Sequence, residues 1–315
     1  MIIVQTQRRI GSGCVLAAGV AAGRPVVVGG DYHGTISAWD LSQGQALFRP
    51  VRAHTGPVGA VALTEHRAGI LAVTGGTDGA VCAWDLGSGT ALGPPLEVPD
   101  GPVIAVAVGE VCGRLAVLAG DHVGRLWIWD LTTGGALRPA VCHHDGWVNA
   151  VALCQLGRRT FAISGGEDGK IVIDDLPGEG RRVATLRGHE GWVNALAVGY
   201  VEGRPSVVSG GEDGSIRLWD LASRRPLREP IVGRHGWIGA VCIGQACGRA
   251  IAATGGEDGR LRIWDLESGA LCSESPTVYQ GLIYSVGLVD AAPHLLAAYA
   301  GSDGTIWASS LRPSD

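Results

Sequence analysis

The sequence lacks a basic excess: its formal net charge is −5, and Lys170 is the single lysine among 25 lysines and arginines. Nucleic-acid binding rests on clustered cations that neutralise phosphates, so no nucleic-acid partner is expected. Arginine pairs such as Arg181-Arg182 and Arg224-Arg225 lie scattered in short loops and read as solvated edges. The preference for arginine over lysine is a compositional mark of a GC-rich bacterial genome. No uninterrupted apolar run approaches the length needed to cross a bilayer, which argues against a membrane partner. The opening MIIVQTQRRI puts its apolar run before its arginines, the reverse of a secretory signal. Eight cysteines are present (Cys14, Cys82, Cys112, Cys142, Cys154, Cys242, Cys247 and Cys272), and none forms a CxxC. They read as small buried hydrophobes in a reducing, cytoplasmic setting, not as a disulfide framework or a metal cage. GxSxG, Walker and HExxH motifs are missing as well. No catalytic residue, cofactor or metal is therefore assigned.

What the sequence has is repetition. The phrases GGDYHGTISAWD, GGTDGAVCAWD, AGDHVGRLWIWD, GGEDGKIVIDD, GGEDGSIRLWD, GGEDGRLRIWD and AGSDGTIWASS share a turn glycine at 34, 79, 124, 169, 214, 259 and 304. Each step is 45 residues, and seven steps account for all 315. Within residues 189–233, Val193 to Val198, Ser206 to Ser209, Ile216 to Trp219 and a run around Pro226 to Val232 read as strands. The Gly-Glu-Asp-Gly between the second and third is a tight-turn signal. Helical periodicity is absent.

A lone four-stranded sheet cannot bury both of its faces, whereas seven packed around an axis can. The expected fold is all-β: a seven-bladed propeller with four antiparallel strands per blade. It forms one domain over 1–315, with blades at about 9–53, 54–98, 99–143, 144–188, 189–233, 234–278 and 279–315. The last unit ends on its third strand, Ile306 to Leu311, while Ile2 to Thr6 is a spare strand-like segment. Residues 1–8 are thus expected to add the outer strand of the final blade and lock the ring.

The 45-residue spacing, the Gly-His opening of some units and the terminal Trp-Asp resemble the WD40 family along the whole chain. The resemblance implies a buried tetrad of His, Ser or Thr, Asp and Trp in each blade. By position it is complete as His54, Thr74, Asp78 and Trp84, and again as His189, Ser209, Asp213 and Trp219. The sixth unit has Thr254, Asp258 and Trp264 with Arg234 in place of His; the fourth has His144, Ser164 and Asp168 with Asp174 in place of Trp. The first (Arg9, Gly29, His33), third (Pro99, Ala119, Val123) and seventh (Tyr279, Tyr299, Ser309) depart from the pattern and are expected to rely on apolar packing, with Trp127 and Trp307 contributing. A His, Ser and Asp brought together can suggest a hydrolase triad. An active site has no reason to recur every 45 residues, so the trio reads as structural. The adjacent His143, His144 and Asp145 do not make a metal site, because neighbours on a strand point to opposite faces.

Most members of the family are rigid platforms that bind peptides or proteins, and the resemblance implies that three positions per unit reach the upper face. The first reads Ser12, Pro57, Pro102, Trp147, Trp192, Trp237 and Leu282; the second Cys14, Gly59, Ile104, Asn149, Asn194, Gly239 and Tyr284; the third Tyr32, Thr77, His122, Glu167, Glu212, Glu257 and Ser302. Three consecutive units pair Trp with Glu. An indole face attracts a cation and a carboxylate adds a charge-assisted hydrogen bond. The expected function is a non-catalytic, monomeric scaffold whose upper face holds a protein or peptide, with a cationic segment over Trp147, Trp192, Trp237, Glu167, Glu212 and Glu257. Asn149, Asn194, Tyr32, His122 and Tyr284 complete that surface. The competing reading of the trios is packing tryptophans and solvated glutamates, repeated by duplication. The alternative function is an enzyme or small-ligand protein using the mouth of the channel. A lectin would use the same tryptophans but expects a secreted chain.

Overall fold

The computed structural model describes the chain apart from residues 1–5, 10–13, 22, 67–68, 100, 177–180, 234–235, 278–280, 292–293 and 312–315. Among the described residues every regular element is a strand. The strands form seven separate antiparallel sheets, each a simple meander. In the fifth sheet Val193–Val201, Arg204–Gly211 and Ser215–Asp220 follow one another, and the outer position is shared by the short pieces Arg225–Pro226 and Ile231–Val232. The turn between the second and third strands places Gly214 at φ 70°, where a Cβ would also lie 2.9 Å from the Gly236 carbonyl. Glycine is the residue that adopts this conformation without strain.

The innermost strands are Cys14–Ala21, Val58–His66, Val103–Val111, Val148–Leu156, Val193–Val201, Ile238–Ala246 and Ile283–Ala291. Each touches the next in order, and the last touches the first, so the seven sheets close into a ring. All seven inner strands line one axial cavity of about 250 Å³. The terminal strand Thr6–Arg9 pairs antiparallel with Thr305–Leu311, Thr6 opposite Ala308 and Arg9 opposite Thr305. Residues 1–5 of the expected closing segment lie outside the described residues.

The second strand of each unit is longer than the alternation predicts: Ser206 to Ser209 extends to Arg204–Gly211. Its glycine pair looks like a strand end in sequence, yet both glycines are used for close approach. A Cβ on Gly210 would fall 2.5 Å from Cγ2 of Ile238 in the next blade, and one on Gly211 would fall 2.4 Å from Nδ1 of His189. The first contact recurs around the ring. Gly30 faces Val58, Gly75 faces Val103, Gly120 faces Val148, Gly165 faces Val193 and Gly255 faces Ile283, each with a γ-carbon at 2.4–2.5 Å from the notional Cβ. A β-branched knob from six of the seven inner strands thus sits in a glycine notch of the preceding blade. Around it lie continuous apolar clusters, such as Val208, Ile216 and Leu218 packed with Ile238, Val241, Ala252 and Trp264.

The Asp of each Trp-Asp pair ends the third strand and holds the following turn at the lower face. Asp265 accepts N–H bonds from Glu267 (2.9 Å) and Ser268 (2.8 Å), and an arginine bond from Arg249 (2.8 Å). The same arginine–aspartate pairing, sixteen positions apart, joins Arg24 to Asp40, Arg114 to Asp130 and Arg159 to Asp175.

The knob and notch are tested by a double-mutant cycle. Gly210→Ala forces a methyl against Ile238 and is expected to destabilise by about 1–3 kcal/mol. Ile238→Ala leaves a void costing about 2–5 kcal/mol. Combined, they should cost less than their sum, measured by denaturant unfolding, because the new methyl fills part of the void. Strict additivity would show that the two residues do not share one packing site.

Candidate functional site

The candidate surface lies at the end of the ring where the inner strands begin, and buried polar networks fix its loops. In the second blade His54 contacts Asp78 through Nδ1 (3.0 Å) and Thr74 through Nε2 (2.8 Å), while Trp84 Nε1 donates to Thr74 (3.1 Å). The fifth blade repeats this with His189–Asp213 at 3.0 Å, His189–Ser209 at 2.7 Å and Trp219–Ser209 at 3.0 Å. The aspartate in turn accepts N–H bonds from the loop entering the inner strand, from Thr55 in the second blade and Glu190 in the fifth. Each network is a chain from loop to third strand.

The family model for the WD domain, G-beta repeat, matches residues 180–220 and 229–265, which hold the Trp219 and Trp264 units. The ring of seven sheets extends that unit around the whole chain. The chain is a WD40-repeat propeller. Among curated proteins none matches it. WD40 propellers serve in general as scaffolds for protein interaction.

Where units of this WD40 propeller depart from the tetrad, polar chemistry is moved and not simply lost. In the third blade Asp121 is fully buried and accepts from Arg125 N (2.8 Å), Arg125 Nε (2.6 Å) and Trp127 Nε1 (2.9 Å). In the first blade Asp31 accepts from the amides of His33 (2.9 Å) and Thr35 (2.8 Å). Both aspartates stand three residues before the turn glycine, where Asp78 and Asp213 stand one before. In the seventh, buried Tyr299 pairs with Ser309 (3.3 Å), the positions of Thr74 and Trp84 with their bulk exchanged. The expectation of purely apolar packing in these blades is therefore corrected. The shifted Asp was visible in GGDYHG and AGDHVG; the exchange of bulk left no local signal. In the fourth blade His144 keeps Asp168 (2.9 Å) and Ser164 (2.7 Å), while Asp174, fully buried, meets His143 (2.8 Å) and Arg138 (3.4 Å). His143 and His144 thus serve different networks. Asp258 in the sixth blade binds Arg262 (2.6 Å), and Arg234 lies outside the described residues, as do Ser12, Tyr279 and the side chains of Arg9 and Cys14.

Trp147, Trp192 and Trp237 stand exposed, at 38%, 41% and 41% of their surface. Each is locked to its glutamate twice. The Glu167, Glu212 and Glu257 amides donate to the Trp carbonyls (3.0, 2.9 and 2.9 Å). Their Oε2 atoms accept from the Trp amides (3.2, 3.2 and 3.4 Å). The carboxylate lies over the glycine that precedes each Trp: a Cβ on Gly191 would come within 3.0 Å of Glu212 Oε2. That glycine is a site residue the sequence reading missed, legible as the repeated Gly-Trp. The rings of Trp192 and Trp237 lie 6.3 Å apart, and His122 meets Trp147 edge-on at 6.4 Å. Tyr32 and Tyr284 are exposed. Asn149, Asn194 and Tyr284 line the axial cavity, whereas the tryptophans, glutamates, Tyr32 and His122 do not. Asn194 Nδ2 donates to the Ile238 carbonyl of the next blade (3.2 Å).

Burial, outweighing their aspartate partners, holds His144 and His189 below the ordinary imidazole range. Burial raises the Asp168 and Asp213 carboxyls, but bonds from Lys170 and His144, and from the Glu190 and Ser215 amides, bring both to about 2. A group depressed on folding contributes stability above its unfolded pKa and loses it as pH falls. Stability should therefore decline first below about pH 6.5, as the unfolded chain binds protons on histidine, and again from about 4 towards 2 on aspartate. In thermal melts His189→Asn should lower Tm at pH 7.5 and flatten its dependence between pH 7 and 5. An unchanged slope in that window would exclude the histidine as its source.

Proposed function

We propose that the upper face of blades four to six holds a cationic, arginine- or lysine-bearing segment of a protein partner. The observation that carries this reading is the triple recurrence of an exposed indole whose loop is fixed by a buttressing carboxylate. One carboxylate oxygen accepts from the Trp amide, which keeps the charge on the loop that carries the ring. A guanidinium or ammonium above the indole meets both the π face and the carboxylate. Holding the glutamate in place lowers the ordering cost of binding.

The channel-mouth alternative has one observation in its favour, the axial cavity edged by Asn149, Asn194 and Tyr284. It accommodates a small polar ligand, but Tyr32, His122 and the glutamates that acid–base chemistry would draw on lie outside it.

Calorimetric titration with a basic peptide separates the readings. The variant combining Trp192→Ala with Glu212→Gln should bind at least about tenfold more weakly than wild type, since desolvated cation–π and ionic contacts together contribute about 2 kcal/mol or more. Equal affinity for both proteins would remove the Trp–Glu surface from consideration.

A further inference from the structure

The arginine pairs that look scattered in the sequence do not remain so in the fold. The inner strands run from the upper to the lower face, so every hairpin between first and second strands, and every turn after a third strand, lies at the lower end. Arg158-Arg159, Arg204 and Arg249 begin second strands there, and Arg224-Arg225 follow a third strand. All are exposed and all belong to blades four to six. The neighbouring positions at the ends of the inner strands are Gln155, Tyr200 and Gln245 on these blades, but Glu65, Glu110 and Asp290 on blades two, three and seven. Tyr200 is 55% exposed, and Gln245 Nε2 donates to its carbonyl (3.1 Å), tying the lower ends of two blades together. Among the described residues of these hairpins and turns, Glu202 and Glu267 are exposed acids.

Two of these arginines are held in place by aspartates. Arg159 and Arg249 reach Asp175 and Asp265, yet their side chains remain 59% and 63% exposed. Arg204 lies close enough to Asp220 to help lower its carboxyl. The Arg249 guanidinium is fixed at one edge by an aspartate that the Glu267 and Ser268 amides also hold, while most of its side chain stays open to solvent. Anchoring reduces the rotamer freedom lost on binding, and the planar fork matches a carboxylate.

We propose that the lower face of blades four to six is a second docking surface, for a carboxylate-rich segment of another protein. An acidic protein segment fits better than a nucleic acid. The aspartates close to Arg159, Arg204 and Arg249 cancel much of the long-range field on which polyphosphate binding depends, while leaving short-range directional donors. The surface is independent of the upper face and lets one disc bridge a basic and an acidic partner.

The test uses the full chain and a fluorescein-labelled decaglutamate read by anisotropy at low salt. Arg204→Gln with Arg249→Gln should weaken binding by about tenfold, with Arg204→Lys falling between it and wild type because it keeps charge without the fork. Arg24→Gln with Arg114→Gln removes two arginines of the same type from blades one and three and should change binding by less than about twofold. Melting curves of each variant control for loss of fold. Trp192→Ala with Glu212→Gln should leave decaglutamate binding intact, so failure here and failure of the upper-face reading are told apart. Equal weakening by the two arginine pairs would refute the location. Tighter, arginine-dependent binding of a ten-nucleotide RNA would refute the partner class. Concentration-dependent self-association, abolished by Arg204→Gln with Arg249→Gln, would make the occupant a second copy of the chain.

Discussion

The ring is set by a contact in which glycine is as necessary as its partner. At six of the seven interfaces a β-branched side chain at the start of an inner strand presses into a glycine on the second strand of the preceding blade, from Gly30–Val58 round to Gly255–Ile283. Any side chain at the glycine would separate the two sheets, and close-packed interiors do not absorb such a change. The contact sets the distance between blades at the radius where the ring must close. At the seam the glycine is replaced by Ala300, in one apolar cluster with Leu16 and Val27 of the first blade. The closing strand Thr6–Arg9 pairs with Thr305–Leu311 of that same seventh blade.

The polar networks do a different task. They fix the loops that the packed sheets leave free, and they tolerate substitution because many donor–acceptor sets satisfy the same buried positions. His54–Thr74–Trp84, Arg125–Asp121–Trp127 and Tyr299–Ser309 are three solutions to linking the second and third strands. This explains where the sequence was legible. The spacing of turn glycines and the alternation of apolar residues gave fold and strand order, and the resemblance to the WD40 family implied the placement of Asn149, Asn194 and Tyr284 at the axis. The irregular blades were harder to read because their substitutes sit at other positions of the repeat, outside any comparison made position by position.

Surface charge was the least legible feature. Arg159, Arg204, Arg225 and Arg249 are far apart in the chain and share a face because successive strands reverse direction. The net charge of −5 is a sum over the whole chain and carries no trace of where its charges lie. The Glu–Trp trios were legible as types, but not the double hydrogen bond between each pair or the glycine beneath each carboxylate.

Comparing units within one chain separates what the fold demands from what it merely permits. The second blade builds the same upper loop with Pro57 and Thr77: the Thr77 amide donates to the Pro57 carbonyl at 3.0 Å, as Glu212 does to Trp192 at 2.9 Å. Closing that loop therefore requires neither an indole nor a carboxylate. On the lower face the second blade starts its second strand with Gly69, and its Asp85 still caps the turn through the Gly87 amide. The arginine is dispensable to the turn in the same sense. Blades four to six carry both dispensable chemistries at once, acid and indole above, guanidinium below. Duplication of a unit accounts for their recurrence; it does not account for three exposed tryptophans in water, which expose apolar surface that a partner would cover. The proposed partner would account for both.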